Sequence, residues 1–270
     1  MTDELEKLVT AVSQSAKYRH LSPDLIRRIG ARELAARRNL KEAVKSTKNK
    51  LHQVGGAYFA ARIDYDAALA RLGQTRDDPA AFRQTCRDLL ARHASTRERL
   101  PILDNFYREI LADLPPIRSV IDVACGLNPL AWPWMPLAVG ASYRAYDIYG
   151  DMTAFLQGFF DLLGVNGRAE TRDVIGRPPT ETADIAFVLK TLPCLEQVDK
   201  TAAARLLDNL NARYLLISYP ARSLGGRRKG MAANYTAHFE KLASGRRWQV
   251  RRFAFETELA FLVEVGVEIF

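Results

Sequence analysis

Cysteine and histidine are scarce in this chain of 270 residues, with three Cys (Cys86, Cys125, Cys194) and four His (His20, His52, His93, His238), all far apart. No set of them has disulfide or zinc-ligand spacing, so no disulfide framework and no metal site is expected. Also missing is any run of ~18 apolar residues, the length that a membrane-spanning helix needs. The opening residues, Met1-Thr-Asp-Glu-Leu-Glu-Lys7, are acidic and lack the apolar stretch of a secretory signal. A cytoplasmic protein without membrane contact is therefore expected. Low-complexity segments and repeats are absent as well, and at 48% hydrophobic residues the chain can bury a sizeable core.

What is present begins with Arg118-Ser-Val-Ile-Asp122-Val-Ala-Cys-Gly126-Leu-Asn128-Pro-Leu130. It reads as a buried strand that ends in an acid and runs into a turn of small residues, where a doubly wound α/β sheet receives the charged part of a nucleoside cofactor. A dinucleotide fold needs G-x-G-x-x-G so that backbone amides can close on a pyrophosphate. Here Gly126 stands alone between Ala124 and Asn128, which argues against that cradle. The loop fits the D-x-G-x-G-x-G arrangement of S-adenosylmethionine-dependent methyltransferases, with Ala and Asn in the outer glycine positions.

Two further strand-like runs end in acids. Ala141-Ser-Tyr-Arg-Ala-Tyr-Asp147-Ile148 puts a carboxylate about 25 positions after Asp122, where such folds accept ribose hydroxyls. Gly167-Arg-Ala-Glu-Thr-Arg-Asp173-Val174 offers a carboxylate for an adenine amino group. Ala183–Lys190 and Arg213–Ser218 read as a fourth and fifth strand. Trp248–Phe255 and Leu259–Val265 read as a closing antiparallel hairpin, so the expected class is α/β, a Rossmann-like seven-stranded sheet of the class I methyltransferase type.

Charge is distributed unevenly. Residues 17–50 hold eleven Lys or Arg against Asp24, Glu33 and Glu42, a net +8 that equals the whole chain's formal charge; the remainder carries 28 basic and 28 acidic residues. Such concentration is the footprint of a polyanion-binding surface. The segment also reads as folded. Leu5, Leu8, Val9 and Val12 share a helical face, and Ser22-Pro23-Asp24 opens a second helix with Leu25, Ile26 and Ile29 inward. Leu40, Val44, Thr47, Leu51 and Val54 mark a third, which carries Lys41, Lys45 and Lys48 on the neighbouring face and stops at Gly55-Gly56. A basic helical RNA-binding domain over residues 1–92 and a methyltransferase domain over 93–270 are expected.

Between the two, residues 62–92 read as helical with a loop at Gly73–Pro79. Ser95 and Glu98 have capping-box spacing ahead of the apolar run Leu100, Leu103, Phe106, Tyr107, Ile110. Arg97 or Arg99 is placed to hold a methionine carboxylate. After the fourth strand comes Lys190-Thr-Leu-Pro-Cys194-Leu-Glu196, in which Cys194 has no identifiable partner base and reads as packing. The basic Gly-rich run from Arg222 to Met231 is not a P-loop and reads as a phosphate clamp. These residues leave open an RNA methyltransferase, a small-molecule methyltransferase that would leave the basic segment unexplained, and a catalytically silent RNA-binding ribosome factor.

Taken together, His93-Ala-Ser-Thr-Arg-Glu-Arg99, Asp122-Val-Ala-Cys-Gly-Leu-Asn-Pro-Leu130, Leu189-Lys-Thr-Leu-Pro-Cys-Leu-Glu196 and Ser223-Leu-Gly-Gly-Arg-Arg-Lys-Gly-Met231 resemble the aminoglycoside-resistance 16S rRNA methyltransferases of the Arm/Rmt and producer-type group. The resemblance covers nearly the whole chain. It implies S-adenosylmethionine as cofactor and methylation of 16S rRNA at N7 of guanine 1405 in the decoding site of the 30S subunit, by an enzyme expected to act as a monomer. Methylation of a neighbouring decoding-site adenine at N1 is the alternative nearest to it. It further implies Arg99 at the cofactor carboxylate, Ala124 and Gly126 in the cofactor loop, Asp147 at the ribose and Asp173 at the adenine. Lys190, Glu196 and the loop of Arg227, Arg228 and Lys229 would lie near the target base. Departures from the pattern are local: Tyr146 and Tyr149 flank the ribose acid, and Trp132 and Trp134 follow the loop.

Overall fold

The computed structural model describes residues 2–54, 63–221 and 231–266. Arg227, Arg228, Lys229 and the Gly55-Gly56 stop lie outside the described residues.

Seven strands form one sheet, built from β1 (Ile117–Val123), β2 (Leu137–Asp147), β3 (Asn166–Thr171), β4 (Thr182–Leu189), β5 (Asn211–Pro220), β6 (Trp248–Ala254) and β7 (Glu258–Val265). Their order is β3-β2-β1-β4-β5-β7-β6. β1 to β5 pair in parallel, whereas β7 runs antiparallel to both β5 and β6. The expected closing hairpin is therefore present, inserted so that the last strand lies inside the edge. Parallel strands need crossovers, and these put helices on both faces of the sheet.

Alternation along each strand sorts the core into two layers. Val120, Tyr143, Ile185, Phe187 and Leu216 face a layer with α7 (Leu103–Leu111), α8 (Gly150–Leu163) and the 3-10 helix Asn128–Trp134. Ile121, Val123, Ala186, Val188 and Ile217 face α9 (Leu192–Val198), α10 (Ala202–Asn209) and α11 (Met231–Ala243). Tyr107, Phe159, Phe160 and Phe187 are completely buried, and each such side chain stabilises the fold by roughly 1.5–3 kcal/mol relative to exposure.

The N-terminal helices are α1 (Thr2–Ser13), α2 (Pro23–Ala36) and α3 (Leu40–Val54), which close over their own core of Leu8, Val12, Leu25, Ile26, Ile29, Ala43 and Leu51. Helices α4 (Tyr65–Thr75) and α5 (Pro79–Leu90) instead contribute Leu72, Phe82, Cys86 and Leu90 to the core of the sheet. The loop read at Gly73–Pro79 is shorter than the sequence suggests. Gly73 stays inside α4, and the break falls just before Asp78, whose side chain accepts the Ala80 and Ala81 amides while Pro79 takes the first helical position.

A second local expectation is overturned at α6 (Ala94–Arg99). His93 is the residue that precedes its first turn, so Ser95 and Glu98 do not form a capping box. Ser95 Oγ meets His93 Nδ1 at 3.0 Å, and Glu98 turns away to Lys190, 92 residues distant. A buried ammonium attracts the carboxylate more strongly than a solvated helix end does. Among the described residues, no helix is long and apolar enough to cross a membrane.

Candidate active site

The loop after β1 turns through two left-handed residues, Ala124 (φ 50°) and Gly126 (φ 52°). Ala124 holds that conformation at a cost of about 1–2 kcal/mol, since a Cβ crowds the backbone there. Gly126 is constrained twice, because an added Cβ would also lie 2.9 Å from the His93 ring. Strand β2 then delivers Asp147 to the same place. Its Oδ2 accepts the Gly126 amide at 2.9 Å, and its Oδ1 accepts those of Ile148 at 2.7 Å and Tyr149 at 3.3 Å. Burial pushes the Asp147 carboxyl up to about 6 despite these amides, which favour its charged form.

Gly126, Asp147 and Asp173 border a cavity of about 800 Å³, measured with its open mouth, whose wall also includes Arg28, Lys190 and Cys194. Asp173 lies two residues past the end of β3 and is engaged by Arg28 of α2, with Nε to Oδ2 at 2.5 Å and Nη2 to Oδ1 at 3.1 Å. His93 is buried beside Gly126, and burial, then Lys190 and Arg97, push its pKa down to about 4, so the imidazole is neutral.

The structure places Arg99 behind the cavity wall, which differs from the expectation that it meets a ligand carboxylate. Its guanidinium is 2% exposed and pairs with Glu258, through Nη2 to Oε1 at 2.6 Å and Nε to Oε2 at 3.0 Å. Nη1 donates to Asn128 Oδ1 at 2.7 Å. The same oxygen accepts the Tyr107 hydroxyl, while Asn128 Nδ2 donates to Asp122 Oδ2 at 2.9 Å. Asp122, pushed up to about 7 by burial although Asn128 and Tyr143 hold it down, therefore anchors the loop from beneath. Asn128 stands at an outer glycine position of the loop because its amide bridges Asp122 and Arg99.

Lys190 and Glu196 are separated. Lys190, itself left-handed at φ 58°, lines the cavity and points its ammonium at Ser95 O (2.9 Å), Glu98 Oε2 (2.9 Å) and Glu258 Oε2 (3.2 Å). Two of the three ammonium donors are taken by Ser95 and Glu98, and Glu258 adds an ion pair. Glu196 lies in a second cleft with Asn234, Tyr235 and His238, where its Oε2 meets His238 Nε2 at 2.8 Å and Tyr219 Oη lies 3.0 Å from His238 Nδ1. Cys194 Sγ lies 3.4 Å from the Lys190 carbonyl.

Sequence reasoning misses Glu258. It is fully buried at the start of β7, takes Arg99 and Lys190, and accepts the Ser218 hydroxyl at 2.6 Å. Burial alone would raise its carboxyl, but Arg99 and Lys190 hold it below the usual carboxylate range. Nothing local marks it, since its partners lie up to 159 residues away. Arg28 stands out in the sequence only as part of a basic segment. Its pairing with Asp173 and that of Arg32 with Asp199 (3.0 Å) show that part of that charge docks α2 onto the sheet. Lys41 and Lys45 remain exposed on α3 and, with Lys48, make no ion pair among the described residues.

A parallel sheet with a reversed last strand, a tight loop after β1 and acids at two neighbouring strand ends define a class I methyltransferase. The family model "Ribosomal RNA methyltransferase (FmrO)" matches residues 14–263, and the chain belongs to that family. A 16S rRNA (guanine(1405)-N(7))-methyltransferase of Micromonospora rosea is 37% identical over 266 residues, 97% of each chain. One of Frankia casuarinae is 39% identical over 264 residues, covering 96% of this chain and 93% of the other. The crystal structure of the 16S rRNA methyltransferase RmtF with S-adenosyl-L-homocysteine superposes with a TM-score of 0.82 at 32% identity, over 98% of this chain and all of that one.

Replacing Glu258 by Ala leaves Arg99 buried without its counter-charge. The expected loss is about 3–5 kcal/mol, read from urea unfolding, with Glu258→Gln less damaging because it retains an acceptor.

Proposed function

We propose that this protein transfers a methyl group from S-adenosylmethionine to N7 of guanine 1405 in 16S rRNA, the reaction named for its relatives. It acts as a cytoplasmic monomer on the assembled 30S subunit, and the product protects the decoding site from aminoglycosides. The observation that carries this reading is the junction of Gly126, Asp147 and Asp173 in one cavity beneath a basic helical bundle.

The cavity suits the cofactor chemically. The Asp147 carboxylate has about four acceptor positions, three of them directed to amides, and so retains one, on Oδ2, for a ribose hydroxyl. Asp173 is the acceptor for an adenine amino group, and Ala124 and Gly126 let the backbone approach closely. Bound S-adenosylmethionine supplies a methyl group on a sulfonium, already electrophilic. Guanine N7 offers a lone pair and loses no proton, so the chain needs no general base. The protein's contribution is positioning, for which well-oriented reactants gain roughly 7–11 kcal/mol.

The N7 edge lies in the deep major groove of A-form RNA, and the base leaves its stack to be reached. Glu196, in the cleft beside the cavity, is assigned to the guanine N–H donors. Lys190 supports the site from the cofactor side. Lys41, Lys45 and Lys48, with Arg227, Arg228 and Lys229, hold phosphates.

Labelled methyl transfer to purified 30S subunits, mapped by reduction, aniline cleavage and primer extension, is expected to give a single stop at guanine 1405. No incorporation by protein that still binds S-adenosylmethionine overturns the reading. Cofactor affinity is expected to be constant above pH about 6 and to fall as pH drops below it. The ligand's hydroxyls favour the ionised Asp147, so binding releases a proton below that pH, and the slope approaches tenfold per unit. Calorimetry on Asp147→Asn is expected to show weaker binding and a flattened profile. Replacing Lys41, Lys45 and Lys48 together by Ala is expected to weaken 30S binding and to reduce its salt slope by about one unit for each phosphate that is no longer neutralised.

A further inference from the structure

The N-terminal bundle forms part of the cofactor cavity's wall. Leu25 and Arg28, neighbours on one face of α2, border the cavity together with Asp147 and Asp173. The turn before α2 is sewn to the turn after β2 by two backbone bonds, Ser22 N to Ile148 O at 2.8 Å and Gly150 N to His20 O at 2.7 Å. Leu21 and Tyr149 form an antiparallel bridge between them. Both carboxylates assigned to the nucleoside are thus tied to the bundle, Asp147 through the backbone that follows it and Asp173 through the bidentate Arg28 pair. One guanidinium nitrogen, Arg28 Nη1, is buried without a hydrogen-bond partner. An orphaned donor in a residue of the cavity wall is satisfied when a ligand brings an acceptor.

We propose that Arg28 is a positioning residue for the nucleoside of the cofactor, and that through it cofactor binding and rRNA docking are positively coupled. The inference rests on the function proposed above. Asp173 is 3% exposed, and the two-pronged Arg28 contact orients it for the adenine amino group. A nucleoside that uses Asp147 and Asp173 as acceptors and gives Nη1 an acceptor holds α2 against the sheet from inside the cavity. Helix α3, which carries Lys41, Lys45 and Lys48, packs on α2 through Ala43 and Leu51, so the RNA-facing lysines are fixed by the same event. Coupling of binding free energies is reciprocal, and docked RNA therefore tightens the cofactor by the same factor.

The test measures 30S affinity with and without saturating S-adenosylhomocysteine, for wild type, Arg28→Ala and Arg28→Lys. Wild type is expected to bind 30S roughly fivefold or more tightly with the nucleoside present, the lower end of common allosteric coupling. The ratio should fall close to one in Arg28→Ala and be kept in part by Arg28→Lys, which retains charge but loses the fork. A general structural defect would weaken 30S binding and leave the ratio unchanged. Hydrogen exchange of residues 23–36, expected to slow on adding S-adenosylhomocysteine to wild type and not to Arg28→Ala, reads the same coupling without RNA. Should Arg28→Ala fail to fold, Asp173→Asn breaks the pair from the other side and is expected to lose the ratio likewise. Equal 30S affinity with and without the nucleoside, or an undiminished ratio in the variants, overturns the inference. Absence of any 30S binding overturns the functional reading instead, and the exchange experiment then still decides whether cofactor and bundle are linked.

Discussion

The buried pair of Arg99 and Glu258 is the constraint on which the site's other groups depend. Burying two charges is costly, and the cost is offset only when geometry is good and every remaining donor and acceptor is used. Here the guanidinium continues into Asn128 and Tyr107, and the carboxylate into Lys190 and Ser218. The result joins α6, the loop after β1, the end of β4, the end of β5 and the start of β7 around one point. Of those segments α6, the loop after β1 and the end of β4 line the cavity, so the geometry of the cofactor loop is set from behind by a polar network as well as by its own glycine.

How much of this is legible in the sequence depends on the range of the interaction involved. Strands β1, β2, β4 and β5 announce themselves through apolar runs that end in acids or turns, and α2 through Ser22-Pro23, because these signals are contained within a few residues. Asp147 and Asp173 are readable for the same reason, since strand-end acids at a set separation follow from the topology of a doubly wound sheet. Glu258 is not readable. A lone glutamate in the turn Glu256-Thr257-Glu258 looks like any solvated acid until the fold brings Arg99 and Lys190 to it. Glu98 misleads in the opposite direction, because a plausible local partner is present and a distant ammonium wins.

The basic segment shows a division of labour that a net charge conceals. Arg28 and Arg32 of α2 make directional pairs with Asp173 and Asp199, Arg28 largely buried and Arg32 half-exposed, whereas Lys41 and Lys45 of α3 are exposed. A planar fork gains from fixed carboxylate geometry, and a flexible ammonium suits phosphates whose positions vary along an RNA backbone. The local charge count of the sequence overstates the polyanion surface, since part of it neutralises acids of the same chain. What remains outward is concentrated on one helix.

The position of β7 in the chain has a consequence for how the protein comes into being. The loop after β1 and Arg99 are synthesised early, but the carboxylate that holds them arrives with the seventh strand, which joins β5 as the inner arm of the β6–β7 hairpin. Arg99 therefore gains its buried counter-charge only when the last hairpin has docked on β5, which makes closure of the far edge of the sheet a condition for the polar network beneath the cofactor loop.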